Sequence, residues 1–167
     1  MVYYTLQPNE IIYHHDPKCS FREIVNPDED DVTKTIDNFN KLYKWDGMFD
    51  LLEVRNRLRK NHRLFLFYFD NQVCGHAWFS KQPEKMGFLS EMVLPSQSIY
   101  CYNVFVDKTI HNKSWCDSSV HISSICDFIF ADGYKKIHLY TDDWNTSAMS
   151  FFERAGFLED DWTKTMF

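Results

Sequence analysis

Three stretches of this 167-residue chain hold residue types that could do chemistry. From Val106 to Cys116 the sequence reads as the end of a strand, a tight loop and the first turn of a helix. Such a junction exposes unpaired backbone N–H groups at the positive end of a helix dipole, which suits an anion. Lys113 adds a cation; Asp117 complements the same dipole, as it would in a capped turn that binds nothing. Cys116 at the helix start, with His111, His121 and Asp117 nearby, has the parts of a thiol nucleophile. No hydrolase signature surrounds it, and packing alone explains a small residue there. His14, His15, Asp16 and Cys19 are metal-ligand types in one polar loop. Adjacent ligands seldom converge on one ion and no second half of a site follows, so an exposed loop accounts for them. The third stretch, Asn145 to Phe157, is a short amphipathic helix with a start and a stop. Asn145 can cap the first turn, Ala148, Phe151, Phe152 and Ala155 recur at helical spacing, and Gly156 can take the left-handed conformation that ends a helix.

The elements that must position these stretches follow from the apolar spacing. A first strand is read at Tyr3–Leu6 or at Glu10–His14. The polar run from Asn26 to Asp31 leads into helical spacing from Val32 to about Lys44, with Asp31 or Thr33 as cap, and again from about Phe49 to Lys60. Arg63–Phe69 and Gln72–Phe79, joined by Asp70-Asn71, read as a hairpin. Ile99–Val106 is apolar or aromatic nearly throughout, as a central strand should be. A helix from about Ser114 to Ala131 carries Trp115, Ser119, Ile122, Cys126 and Ile129 on one stripe and stops at Gly133. Lys136–Thr141 is a strand, and residues 157–167 are expected to supply closing strands. This order predicts a mixed α/β fold in a single domain over residues 1–167, with a right-handed parallel crossover from Ile99 to Thr141.

Composition narrows the partners. Aromatic residues make up 17% of the chain, which reads as a folded core that could also line an acceptor pocket. A net charge of -6, with no basic run longer than Arg55–Lys60, argues against a general nucleic-acid binder, because neutralising phosphates needs a basic surface. The 5 cysteines are scattered, without a Cys-x-x-Cys pair, so neither a disulfide framework nor a zinc site is expected. No leader and no membrane-length apolar run is read, which makes a reduced, cytoplasmic setting without membrane partners the expectation.

Residues 145–157 resemble the C-terminal signature of the GNAT (Gcn5-related) N-acyltransferases, Asn-x-x-Ala-x-x-aromatic-aromatic-Glu-Lys/Arg-x-Gly-Phe. Two further motifs fall in the family's order. Asp70–Ala77 resembles its hairpin, and Val106–Cys116 is in register with its acyl-CoA pyrophosphate loop. The family's loop Arg falls at His111 and its glycines at Asn112, Ser114 and Cys116, so the loop is divergent. Ordered agreement over roughly residues 64 to 157 is harder to obtain by chance than any one motif.

The resemblance implies the GNAT fold, a central, mostly antiparallel sheet with a splayed parallel pair and helices on both faces. It implies acetyl-CoA or another acyl-CoA as co-substrate and direct attack on the thioester by a small-molecule or peptide amine, and it allows a homodimer. It places Val104, Phe105, Val106, His111, Asn112, Lys113, Ser114, Trp115, Cys116, Asn145 and Phe152 at the acyl-CoA groove. Phe152 stands where many members carry a Tyr that protonates the leaving thiolate, and a phenyl ring cannot. Tyr100 falls where many carry a Glu base; Tyr140 and His138 on the neighbouring strand are the candidate substitutes, His138 being better matched to neutral pH. A GNAT-fold domain that binds acyl-CoA or a protein without turnover is the alternative.

Overall fold

The computed structural model describes residues 1–43, 50–82, 94–107 and 119–161, and the side chains of 38, 39 and 41–43 lie outside that description. Along the chain run β1 (Val2–Leu6), β2 (Cys19–Ile24), α1 (Asp30–Tyr43), α2 (Leu51–Arg59), β3 (Arg63–Phe69), β4 (Gln72–Ser80), β5 (Ser98–Val106), α3 (Ser119–Ala131), β6 (Lys136–Thr141), α4 (Thr146–Arg154) and β7 (Leu158–Glu159). The strands form one sheet in the order β2-β3-β4-β5-β6-β1-β7. Every pairing is antiparallel except β5 with β6. This is the mixed α/β architecture expected from the sequence.

The sheet is buried on both faces, which is why its central strands are apolar in succession rather than alternating. Leu64 and Leu66 of β3 pack with Val32 and Ile36 of α1 and Val54 of α2. Phe65 and Phe67, pointing the other way, pack with Ile122, Ile125, Cys126 and Ile129 of α3 and with Phe151 and Phe152 of α4. Asp50 caps α2 by accepting a hydrogen bond from the Glu53 N–H at 2.7 Å. The β3–β4 turn carries Asp70 and Asn71 at φ 45° and 62°, the left-handed pair that a tight hairpin requires.

Two N-terminal features differ from the expectation. The first strand is Val2–Leu6, and the Glu10–His14 alternative is not a strand. Its backbone is taken by the C-terminal part of the fold instead: the Ile12 N–H donates to Ala155 O at 3.0 Å, and Ser123 Oγ donates to Ile12 O at 3.0 Å. Gly156, at φ 100°, ends α4 against this segment, because a β-carbon there would collide with the Glu10 carbonyl oxygen. The sheet also has an edge strand, β2, that the apolar pattern concealed. Its charged residues are satisfied by ion pairs rather than by water alone. Arg22 meets Glu29 at 2.5 Å, and Glu23 meets Arg63 at 2.7 Å. At the other edge the expected closing strands amount to β7, with residues 162–167 outside the described part.

Candidate active site

Among the described residues, the one parallel pair of the sheet comes apart after three residues. β5 and β6 pair from Ser98 opposite Lys136 to Tyr100 opposite His138, and no further. Beyond that point Cys101–Val106 and Leu139–Thr141 line the two sides of a cleft of about 500 Å³. Backbone groups that β5 would have offered to β6 therefore open into the cleft.

On its opposite side β5 is held to β4 through a bulge. Trp78 pairs with Tyr102 and His76 with Phe105, so the single residue Ala77 opposes both Asn103 and Val104. Asn103 sits at φ 47°, a conformation that Asn tolerates better than most side chains. A bulge leaves its extra residue out of the ladder and re-aims the backbone around it. Splay on one side and bulge on the other leave the middle of β5 out of register with both neighbouring strands.

The cleft passes through the sheet. Cys101, Leu139 and Phe152 belong to its α3/α4 side, whereas Tyr100, Tyr102 and Tyr140 belong to its α1/α2 side. On the first side α4 supplies a wall of Asn145, Ala148, Phe151, Phe152 and Arg154. Asn145 Oδ1 accepts the Ala148 N–H at 3.2 Å, fixing the start of the helix and holding the side chain at the mouth. Phe152 is packed edge-on against Phe151 and Phe157, with ring centroids at 5.2 Å and 5.5 Å, and brings no proton donor to the cleft.

Of the residues that sequence reasoning singled out, Tyr100, Tyr140, Val104, Phe105, Val106, Asn145 and Phe152 all line this cleft. Tyr100 is stacked between Tyr102 and Tyr140, each ring centroid 6.1 Å away, and burial pushes its hydroxyl pKa far above the ordinary tyrosine value. Burial raises Tyr140 as well, so both phenols are protonated at neutral pH. His138 is not brought to the cleft. It is fully buried, its Nδ1 is hydrogen-bonded to the Tyr3 hydroxyl, and its Nε2 has no hydrogen-bond partner among the described residues. Burial lowers its pKa to about 4, with Lys136 adding to the effect, so the ring is neutral and far from matched to neutral pH. His111, Asn112, Lys113, Ser114, Trp115 and Cys116 lie outside the described residues.

Among the cleft residues that were not anticipated are Tyr102, Asn103 and Arg154. A signal existed for Asn103, as the one amide in an otherwise apolar strand. His121 proves to be a packing residue, its ring stacked on Phe67 at 5.1 Å and its Nε2 at 2.8 Å from Tyr68 O. Among the described residues no three His, Cys, Asp or Glu side chains are placed to hold a metal, and no helix is long and apolar enough to cross a membrane.

Residues 19–157 match the family model described as the acetyltransferase (GNAT) family. No curated protein matches the sequence at a significant level. Among solved structures, the chain is similar to an aminoglycoside acetyltransferase from an uncultured soil metagenomic sample in complex with sisomicin, at 15% identity over 83% of this chain and 87% of that one, TM-score 0.60. It is similar to a GNAT-family acetyltransferase from Streptococcus pneumoniae at 14% identity over 86% of each chain, TM-score 0.60. A third, a GNAT-family acetyltransferase from Staphylococcus aureus Mu50, is 17% identical over 86% of each chain, TM-score 0.56. At these identities the likeness is one of fold.

Proposed function

The chain belongs to the GNAT family of acetyltransferases, and from that premise we propose that it transfers an acetyl or other short acyl group from coenzyme A to a primary amine by direct attack. The observation that carries this reading is the cleft between β5 and β6, where the splay and the bulge free the backbone of one strand in the middle of a sheet. An extended, amide-bearing pantetheine arm can add to that strand edge as a peptide adds to a sheet, with α4 as the opposite wall. Acyl-CoA supplies an activated carbonyl. The chain supplies backbone N–H groups beside the Asn103 bulge, aimed where negative charge develops on the carbonyl oxygen. A preorganised donor of that kind is typically worth on the order of 10²- to 10³-fold in rate.

The two substrates then have separate faces. The α3/α4 side takes the coenzyme, because Asn145 and Arg154 stand there and the family's pyrophosphate loop leads into α3. The α1/α2 side takes the amine, against the tyrosine wall. Phe152 removes the usual acid for the leaving thiolate, so rate rests on positioning and polarisation more than on a side-chain donor. That same residue favours one second reading, a domain that binds acyl-CoA without turnover.

The test is amine-dependent thiol release from acetyl-CoA, with sisomicin, spermidine, tyramine and a short peptide with a free N-terminus as acceptors. Release with any of them supports transfer. Binding of acetyl-CoA without release across such amines would support the binding domain instead.

A further inference from the structure

The α1/α2 side of the cleft holds a hydrogen-bonded pair for which the reading above has no use. Tyr102 is the last ladder-paired residue of β5 before the bulge, and it lines the cleft. Its hydroxyl is hydrogen-bonded to Nδ1 of His62, a buried residue between α2 and β3. The two rings meet edge-on, 84° apart, with centroids at 5.8 Å. The Arg57 guanidinium lies 5.3 Å from the centre of the Tyr102 ring and 5.2 Å from that of Trp78. Arg57 Nε donates to Glu53 Oε1 at 2.8 Å, which fixes the guanidinium in this position.

This arrangement differs from that of the other tyrosines on the wall. Tyr100 is stacked between phenols, whereas Tyr102 faces an imidazole nitrogen. A phenol can accept a proton at oxygen only as it gives up its own, and Nδ1 is placed to receive that proton. A guanidinium against the ring steadies the negative charge that passes through the oxygen. Among the described residues, the charged and titratable groups near the pair include Arg57 and Glu53 from α2, His76 from β4, Tyr100 from β5 and Tyr140 from β6, with Asp142 beside Tyr140 also lining the cleft. His76 is fully buried and kept neutral, chiefly by burial and then by Arg57, and Glu53 is paired with Arg57.

We propose that Tyr102 and His62 together accept the proton of the attacking amine, an assignment that rests on the acyltransfer reading. The amine nitrogen forms its bond to the thioester carbonyl carbon, and the carbonyl electron pair moves to oxygen. One N–H proton passes to Tyr102 Oη as the Tyr102 proton passes to His62 Nδ1, leaving a neutral nitrogen in the adduct and an imidazolium. The oxygen pair then reforms the carbonyl, the C–S bond breaks, and the thiolate leaves. The imidazolium loses its proton to that thiolate through cleft water, which restores the pair and balances the products as amide and free thiol.

The experiment is the pH profile of kcat for acetyl-CoA with whichever of the four amines releases thiol fastest, in the wild type, Tyr102→Phe, His62→Gln and the double variant. Acetyl-CoA affinity is measured in each by thermal shift. The expected result is unchanged affinity, a loss of about 10²-fold in kcat or more, disappearance of the wild-type acid limb, and a double variant no slower than the slower single one. If Tyr102→Phe fails to fold, His62→Gln, which keeps a partner for the phenol, carries the test. Wild-type turnover with kcat and acid limb preserved in the variants overturns the proton-acceptor assignment alone. A wild type that binds acetyl-CoA and releases no thiol overturns the acyltransfer reading and this assignment with it.

Discussion

Gly75 of β4 and the Phe105 carbonyl of β5 approach each other with no room for a side chain between them. A β-carbon on Gly75 would collide with the Phe105 carbonyl oxygen and stand 2.9 Å from Phe67 Cδ2. Because Phe105 closes the bulge, the glycine sets how near β4 can hold the strand that borders the cleft. Gly75→Ala is expected to destabilise the fold by about 1–3 kcal/mol through overpacking. Urea unfolding checks this: the midpoint should fall at unchanged slope, and an unchanged midpoint would mean that the strands separate there without cost.

Asn145 caps α4 and is proposed to border the coenzyme; only the cap is independent of any ligand. Asn145→Ala removes the acceptor for the Ala148 N–H and should cost about 1 kcal/mol of stability. Asn145→Asp keeps the cap and replaces the amide donor by a carboxylate. Acetyl-CoA binding, measured by calorimetry, should weaken in both variants; full affinity in Asn145→Asp would remove this side chain from the coenzyme wall.

Two buried histidines make stability depend on acid. Burial lowers the pKa of His76 to about 3 and of His138 to about 4, against about 6.5 in an unfolded chain. Between these values the unfolded state holds more protons, so the stabilisation is complete above pH ~6.5 and declines as the pH falls toward the folded values. The expected slope is of the order of 1 kcal/mol per pH unit for each histidine. Urea unfolding at pH 7 and pH 5 should show that loss, and His138→Asn should lose less than the wild type; equal losses would refute the assignment to His138.

Arg154 is exposed on the last turn of α4 and lines the cleft. It is a permanent cation on the wall proposed to take the coenzyme. Arg154→Ala should weaken acetyl-CoA binding by about three- to fivefold, the scale of one exposed ion pair, and the effect should shrink at high salt. Equal affinity at low salt would place the phosphates elsewhere.

The fold was largely legible in the sequence, for reasons visible in particular residues. Leu64–Phe67 and Ile99–Tyr102 are buried on both faces, and runs of that kind declare central strands. Asn145 and Gly156 declared the ends of α4, and both are used as read. β2 was hidden because Arg22 and Glu23 interrupt its apolar period, and tertiary partners such as Glu29 and Arg63 make those charges compatible with a strand. The cleft was half legible. Motif spacing reached Val104–Val106, Asn145 and Phe152. It could not reach the Tyr102–His62 contact, which joins residues forty positions apart. Nor could it reject His138, whose burial depends on how β1 and β6 pair.

The central claim is that the cleft between β5 and β6 receives acyl-CoA, and thermal unfolding with and without acetyl-CoA tests it most directly. Ligand at about 100 times its dissociation constant adds about 2.7 kcal/mol to apparent stability, which for a chain of this size is a rise in Tm of roughly 5–10 °C. A rise of that size is the predicted result. No rise with acetyl-CoA or any other short acyl-CoA would contradict the claim.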